Sequence, residues 1–167
     1  VELKREKSWQ VWTGGIDSAV CFFEAKSPEF KLQGLLGLCF EGFSVSDNFM
    51  SQQAASLEMP FFPLHPAQSD VFAEAYHVGN ETELKTLLKQ KKTESLLFSL
   101  TKESAGVKAA MNLADRLGIH ARFPLWDWPA EEVLRVFFNL RFEAYLISLD
   151  ERKIPGGFLG KSITTQM

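Results

Sequence analysis

The stretch Trp12-Thr13-Gly14-Gly15-Ile16-Asp17-Ser18 decides the fold, because it joins a short hydrophobic strand to a helix. The strand pattern covers residues 9–12, and the helical pattern covers residues 19–25. Two adjacent glycines allow a sharp turn and a close approach of a ligand to the backbone. The helix start behind them offers unpaired N–H groups and the positive end of the helix dipole. The junction therefore predicts an anion site, and phosphate is the anion we expect.

The side chains around the two glycines extend this prediction. A glycine pair alone also fits an ordinary tight turn in which Asp17 or Ser18 caps the helix. Here Thr13 and Ser18 add hydroxyl groups on either side of the glycines. The loop lacks the Gly-Lys-Ser/Thr ending of a Walker A motif. We therefore predict phosphate contacts at Thr13, Gly14, Gly15, Asp17 and Ser18.

Composition limits the classes of protein to which the chain can belong. Its 167 residues fit one domain, and 46% hydrophobic residues are enough for a sizeable core. The formal net charge of -3 speaks against a nucleic-acid partner. No apolar run approaches transmembrane length, and the first residues do not resemble a signal peptide. We therefore expect no membrane partner. Two cysteines, Cys21 and Cys39, suggest neither a disulfide framework nor a metal site, so we expect a cytoplasmic protein. The 15 phenylalanines suggest a dense core or, alternatively, the uncovered interface of a homo-oligomer.

Strand and helix patterns alternate along the whole chain. This alternation predicts an α/β fold, in which a mainly parallel, Rossmann-like sheet carries helices on both faces. Ligands of such sheets bind at the carboxyl ends of the strands, where the Gly-Gly loop also lies. Strands are predicted at residues 9–12, 32–40, 61–64, 94–100, 119–123 and 142–149, and helices at 19–25, 49–57, 70–76, 80–91, 102–117 and 129–139.

The loop resembles the S-G-G-x-D-S signature of the PP-loop ATP pyrophosphatases, in which this loop holds the pyrophosphate part of ATP. Four later segments resemble diphthine–ammonia ligases and their ATP pyrophosphatase relatives, in the family's order. They are QAASLEMP at residues 53–60 (family Q-A-x-x-L-G-I-P), LGI leading to FPLW within 117–126 (L-G-L…x-P-L-W), FEAY at 142–145 (G-F-x-A) and FLGK at 158–161 (F-L-G-R). The resemblance runs from about residue 9 to residue 163.

This resemblance implies a HUP-type domain over residues 1–167, with an ATP-binding core at 8–123 and a family-specific part at 124–167. It implies ATP and Mg²⁺ as cofactors, with the phosphates on the loop and the Mg²⁺ held by Asp17. The implied activity is an AMP-forming amide ligase. Such an enzyme adenylates a carboxylate acceptor, on a protein such as elongation factor 2, and joins ammonia to it. The resemblance assigns no catalytic side chain, and we place the substrate pocket at Pro124, Leu125, Trp126 and Lys161.

Three departures from the family keep other functions open. Ile16 stands where the family usually has Lys, and FSLT at residues 98–101, with Ser99, replaces a Gly-containing loop. The sequence also ends at Met167 without the family's acidic, Gly-rich segment, so we expect it to be truncated relative to those relatives. The first hypothesis remains the adenylating ligase or another AMP-forming transferase. The second is a nucleotide-binding paralogue with another acceptor or no turnover, and the third is an interaction domain that retains only the fold.

Overall fold

The computed structural model describes residues 4–38, 46–65, 76, 78–148, 150, 152–153 and 156–164. Its centre is a five-stranded sheet in which every neighbouring pair of strands is parallel. This confirms the predicted α/β, Rossmann-like fold. The strands are β1 (Glu6–Trp12), β2 (Phe30–Leu38), β3 (Phe61–Leu64), β4 (Ser95–Leu97) and β5 (His120–Arg122).

The strand order places the Gly-Gly loop at the centre of the sheet. The order is β3-β2-β1-β4-β5, so the chain builds outward from β1 first on one side and then on the other. The reversal between β1 and β4 is the switch point at which doubly wound sheets bind ligands, outside the carboxyl ends of the strands. The loop that follows Trp12 leaves β1 at this point.

Helices cover both faces of the sheet, as predicted, because successive strand residues point to opposite faces. Trp9 and Val11 of β1 pack in one hydrophobic cluster, and Trp12 packs in another on the opposite face. No helix in the described part of the chain is long and apolar enough to cross a bilayer. The first cluster takes in α3 (Glu81–Gln90) and α4 (Val107–Leu117), and the second takes in α1 (Ile16–Glu24), α2 (Asp47–Ser56) and α5 (Ala130–Asn139).

Local hydrogen bonds explain where the helix boundaries differ from the predictions. The prediction that a helix begins at residue 102 is wrong, since α4 begins at Val107. The Ser104 hydroxyl instead accepts the Thr101 N–H at 3.0 Å and holds the preceding residues in a turn. At the other end, Gly118 closes α4 with a φ of 71°, the left-handed conformation expected of a helix-ending glycine. Of the helix predicted at residues 70–76, residues 70–75 lie outside the described part of the chain.

The sixth strand predicted at residues 142–149 is also wrong. Among the described residues of this range, only Ala144–Tyr145 (β6) forms a strand, and it pairs antiparallel with Ser162–Ile163 (β7) in a separate two-stranded sheet. Further backbone bonds join Leu146 to Lys161 at 3.0 Å and Gly160 to Leu146 at 2.7 Å. The backbone hydrogen bonds of residues 144–146 therefore run to residues 160–163 and not to β5.

Candidate functional site

The backbone conformation of the Gly-Gly loop requires glycine at only one of its two glycine positions. Gly14 has a φ of 80°, a left-handed conformation that favours glycine. Gly15 is extended, with φ −92° and ψ 178°, and directly precedes α1. A Cβ built on Gly15 would meet only the Thr13 hydroxyl oxygen, at 3.8 Å. Gly14 is therefore needed for the turn, whereas Gly15 leaves open space in front of the helix start.

The hydroxyl of Ser18 closes the loop on itself. It accepts the Thr13 N–H at 3.1 Å and lies 2.9 Å from the Thr13 hydroxyl. The Ser99 hydroxyl lies 3.4 Å from the same oxygen, which links the end of β4 to the loop. Ser18 is fully buried. In this arrangement Ser18 stabilises the shape of the loop, and the contact of its hydroxyl with a phosphate stays a prediction.

The helix start behind the loop carries unused hydrogen-bond donors. The first backbone bond of α1 runs from the Ala19 N–H to the Gly15 carbonyl, at 3.2 Å. Within the described residues, no acceptor forms a hydrogen bond with the N–H groups of Gly15, Ile16 and Asp17, and no side chain caps the helix. Such groups, together with the positive end of the helix dipole, form an anion site. The start of α1 therefore offers donors of the kind that the predicted phosphate contacts require, and those contacts stay a prediction.

Asp17 is the one carboxylate in the loop. The residue as a whole is exposed, whereas its carboxyl group is partly shielded from water by the surrounding protein. No cation or hydrogen-bond donor contacts it in the part of the chain that the structure describes. Desolvation by the surrounding protein raises the pKa of its carboxyl. No group of three or more potential metal ligands occurs among the described residues. Any Mg²⁺ on Asp17 would therefore depend on ligand oxygens such as phosphates, which is how proteins commonly bind this ion.

We expect Asp17→Asn to raise the Tm of the ligand-free protein at pH 7. A carboxyl whose pKa is raised by folding contributes stability below its unfolded-state pKa of about 3.9, and that stability is lost as the pH rises through the higher, folded-state pKa. The substitution removes this loss, so the two proteins should differ at pH 7 and converge near pH 3. Thermal unfolding across this range measures the difference. Glu103→Gln removes an exposed carboxylate elsewhere and is the control, and a lower Tm for Asp17→Asn at pH 7 would contradict the expectation.

A cavity of about 630 Å³ adjoins the loop. Its volume lies in the range typical of small-molecule sites. The loop residues from Thr13 to Ile16 form one wall, and α2, the end of α5 and the β6–β7 sheet form the others. Most of the lining side chains are apolar, and Glu143 is the only charged one among the described residues. The Tyr145 hydroxyl donates to the Glu143 carboxylate at 2.9 Å.

Gln53 of α2 connects the cavity to the loop. The sequence analysis assigned it no role of its own and included it only in the family segment at residues 53–60. Its side-chain oxygen accepts the indole N–H of Trp12 at 2.9 Å. Its side-chain nitrogen donates to the Gly14 carbonyl at 3.3 Å. The residue also lines the cavity. No local sequence signal could reveal this role, because the partners are 41 and 39 residues away in the chain.

The four residues predicted for a substrate pocket do not meet at this cavity. Leu125 is fully buried in the hydrophobic cluster around α1, so it is a core residue. The Trp126 ring lies 5.4 Å from the ring of Phe123. Lys161 places its ammonium 5.5 Å from the ring of the exposed Phe158. Neither these residues nor Pro124 contribute to the cavity lining.

Comparisons with known proteins support the fold described above and identify no family. No protein-family model and no curated protein matches the chain. The crystal structure of a predicted subunit of tRNA methyltransferase from Methanocaldococcus jannaschii is similar, with a TM-score of 0.54 and 11% identity over 87% of this chain and 80% of that one. RSP, a Rex-family repressor, has a TM-score of 0.37 at 11% identity over 83% of this chain and 60% of its own. At 11% identity, the likeness to the first of these structures supports the α/β, Rossmann-like fold and nothing finer.

Proposed function

We propose that the chain binds ATP, with the phosphates on the Gly-Gly loop and the nucleoside in the adjoining cavity. The observation that carries this proposal is that unused N–H groups start α1 beside a cavity walled by the same loop. The donors suit the anionic part of a nucleotide, and the apolar walls suit its uncharged part. Asp17 would hold Mg²⁺ against the phosphates, which would neutralise part of their charge.

The reaction that we propose is cleavage between the α- and β-phosphates, which yields AMP and pyrophosphate. An acceptor carboxylate attacks the α-phosphorus, pyrophosphate leaves, and ammonia or an amine then displaces AMP from the acyl-adenylate to form an amide. The backbone N–H groups at the loop would stabilise the charge that grows on the departing pyrophosphate. No lysine of the loop is available to reach a γ-phosphate. The resemblance to PP-loop enzymes supports the same bond cleavage.

A second candidate function is nucleotide binding without turnover. The observation that favours it is the charge of the site: no Lys, Arg or His lies among the described residues that line the cavity. Ile16 occupies the position at which the loops of the diphthine–ammonia ligase family usually carry Lys. Without that cation, the charge of a leaving pyrophosphate is balanced only by backbone dipoles and a bound Mg²⁺. The loop could then bind a nucleotide and still stabilise the transition state too weakly for turnover.

ATP labelled at the α-phosphate distinguishes these candidates. We expect the purified chain, given Mg-ATP, ammonium and a suitable acceptor, to release labelled AMP and an equal amount of pyrophosphate. Acceptors to be tested include a diphthine-bearing elongation factor 2. Because the similar structure is that of a predicted tRNA methyltransferase subunit, they also include tRNA, in which a base carbonyl oxygen would attack the α-phosphorus in place of the carboxylate. Labelled ADP as the main product would refute the proposed cleavage. Saturable Mg-ATP binding by calorimetry with no product would favour the second candidate.

A further inference from the structure

We propose that Gln53 is a positioning residue of the Gly-Gly loop, because its amide group fixes the direction in which the Gly15 N–H points. This inference rests on the proposed binding of a nucleotide at the loop. Gln53 belongs to α2, which lies outside the loop, and its amide contacts the loop backbone at the Gly14 carbonyl. Its role is therefore separate from that of Thr13 and Ser18, which close the loop from within.

The chemistry of Trp12 determines which way the Gln53 amide faces. An indole N–H only donates, so the partner atom at 2.9 Å must be the amide oxygen of Gln53. The amide nitrogen is then turned toward the Gly14 carbonyl, which it reaches at 3.3 Å. Trp12 itself is 3% exposed and belongs to the hydrophobic core. The buried indole thus anchors the amide group that contacts the loop.

The hydrogen bond to the Gly14 carbonyl also orients the next N–H group. In a planar trans peptide the carbonyl of one residue and the N–H of the next point in opposite directions. Holding the Gly14 carbonyl toward α2 therefore holds the Gly15 N–H in the direction away from α2. A Gly-Gly peptide has few steric restraints of its own, since neither residue carries a Cβ. The hydrogen bond from Gln53 supplies the restraint that these two residues lack.

Gln53→Glu tests this role with little change in size. The carboxylate can still accept the Trp12 indole N–H, but it presents a second oxygen where the Gly14 carbonyl needs a donor. Gln52→Glu is the matched control, because it adds the same charge at an exposed neighbouring position of α2. Gln53→Met removes both hydrogen bonds without adding charge. We expect the Mg-ATP affinity, measured by calorimetry, to fall about tenfold in both Gln53 variants and less than about twofold in the control.

Two further readouts separate positioning from general structural support. Adenosine lacks the phosphates, and Gln53 also lines the cavity in which we place the nucleoside. Adenosine affinity therefore reports any direct loss at the cavity wall, and in both Gln53 variants it should fall clearly less than the Mg-ATP affinity. In ligand-free protein, the NMR amide signal of Gly15 should shift in Gln53→Glu, whereas the indole N–H signal of Trp12 should keep its hydrogen-bonded position. Equal losses of ATP and adenosine affinity, or an unmoved Gly15 signal, would overturn the positioning role. A parent that binds Mg-ATP while neither Gln53 variant loses affinity would overturn it and leave the proposed function standing, and a parent that does not bind Mg-ATP would overturn both.

Discussion

Gly34→Ala is expected to destabilise the fold by about 3 kcal/mol, because the added methyl group would overlap a core tryptophan. Gly34 of β2 lies directly opposite Trp9 of β1 in the register of the two parallel strands. A Cβ on Gly34 would lie 2.3 Å from Cζ3 and 2.5 Å from Cη2 of the Trp9 ring. The ring is 2% exposed and packs among core side chains. Neither the ring nor the strand can therefore move aside without disturbing the centre of the sheet.

Chemical denaturation of the parent and of Gly34→Ala measures this effect. Trp9→Leu shortens the opposing side chain, so the methyl group at residue 34 should cost less in the Trp9→Leu background than in the parent. This difference is a coupling free energy, which we expect to exceed about 1 kcal/mol for two residues in contact. Gly157→Ala is the control, because no atom of the described residues lies within 4 Å of a Cβ built there. A Gly34→Ala protein within about 0.5 kcal/mol of the parent would show that the strands accommodate the methyl group.

Gly15→Ala is expected to weaken Mg-ATP binding at least about tenfold while leaving the fold intact. The new methyl group would occupy the space in front of the α1 start, where the phosphates are proposed to lie. The backbone of residue 15 is extended, so alanine adopts it without strain. Alanine is a poorer N-cap than glycine, but it also reduces the conformational entropy of the unfolded chain, and these effects of about 1 kcal/mol oppose each other.

Calorimetry with Mg-ATP and thermal unfolding of the same protein samples test the two halves of this expectation. Gly157→Ala, which makes the same change in the exposed turn before β7, should alter neither quantity. An unchanged ATP affinity in Gly15→Ala would show that the phosphates do not approach this backbone. A Tm that falls together with the affinity would instead assign Gly15 a role in folding.

The strength of the local signals explains which sequence predictions succeeded. Alternating strand and helix patterns predicted all five strands of the parallel sheet. The clearest signal came from β2, whose buried second half is the continuous apolar run of a strand covered on both faces. Gly14-Gly15 marked the loop correctly, since a φ of 80° at Gly14 is a requirement of the backbone itself. The predicted strand at residues 142–149 failed for a different reason. An apolar run does not specify its pairing partner, and here the partner is β7, near the end of the chain.

Leu125 shows why the substrate pocket could not be read from a motif. Its family segment placed it beside a ligand, whereas the fold places it in the hydrophobic core with Val133 and Phe137 of α5. Nothing in the residues next to it distinguishes these environments. The packing of α5 against α1 does so, and that packing depends on contacts between residues more than a hundred positions apart.

The sequence by itself determined the parallel α/β fold and the position of the Gly-Gly loop, because hydrophobic periodicity and backbone conformation are properties of neighbouring residues. Only the tertiary structure decided which side chains accompany the loop. It brought Gln53 to the Gly14 carbonyl, turned the Ser18 hydroxyl inward to Thr13, and placed Glu143 and Tyr145 on the cavity wall. Apart from the short Thr13–Ser18 contact, these arrangements join residues distant in sequence. Such contacts form only when the helices pack on the sheet, so no pattern of neighbouring residues encodes them.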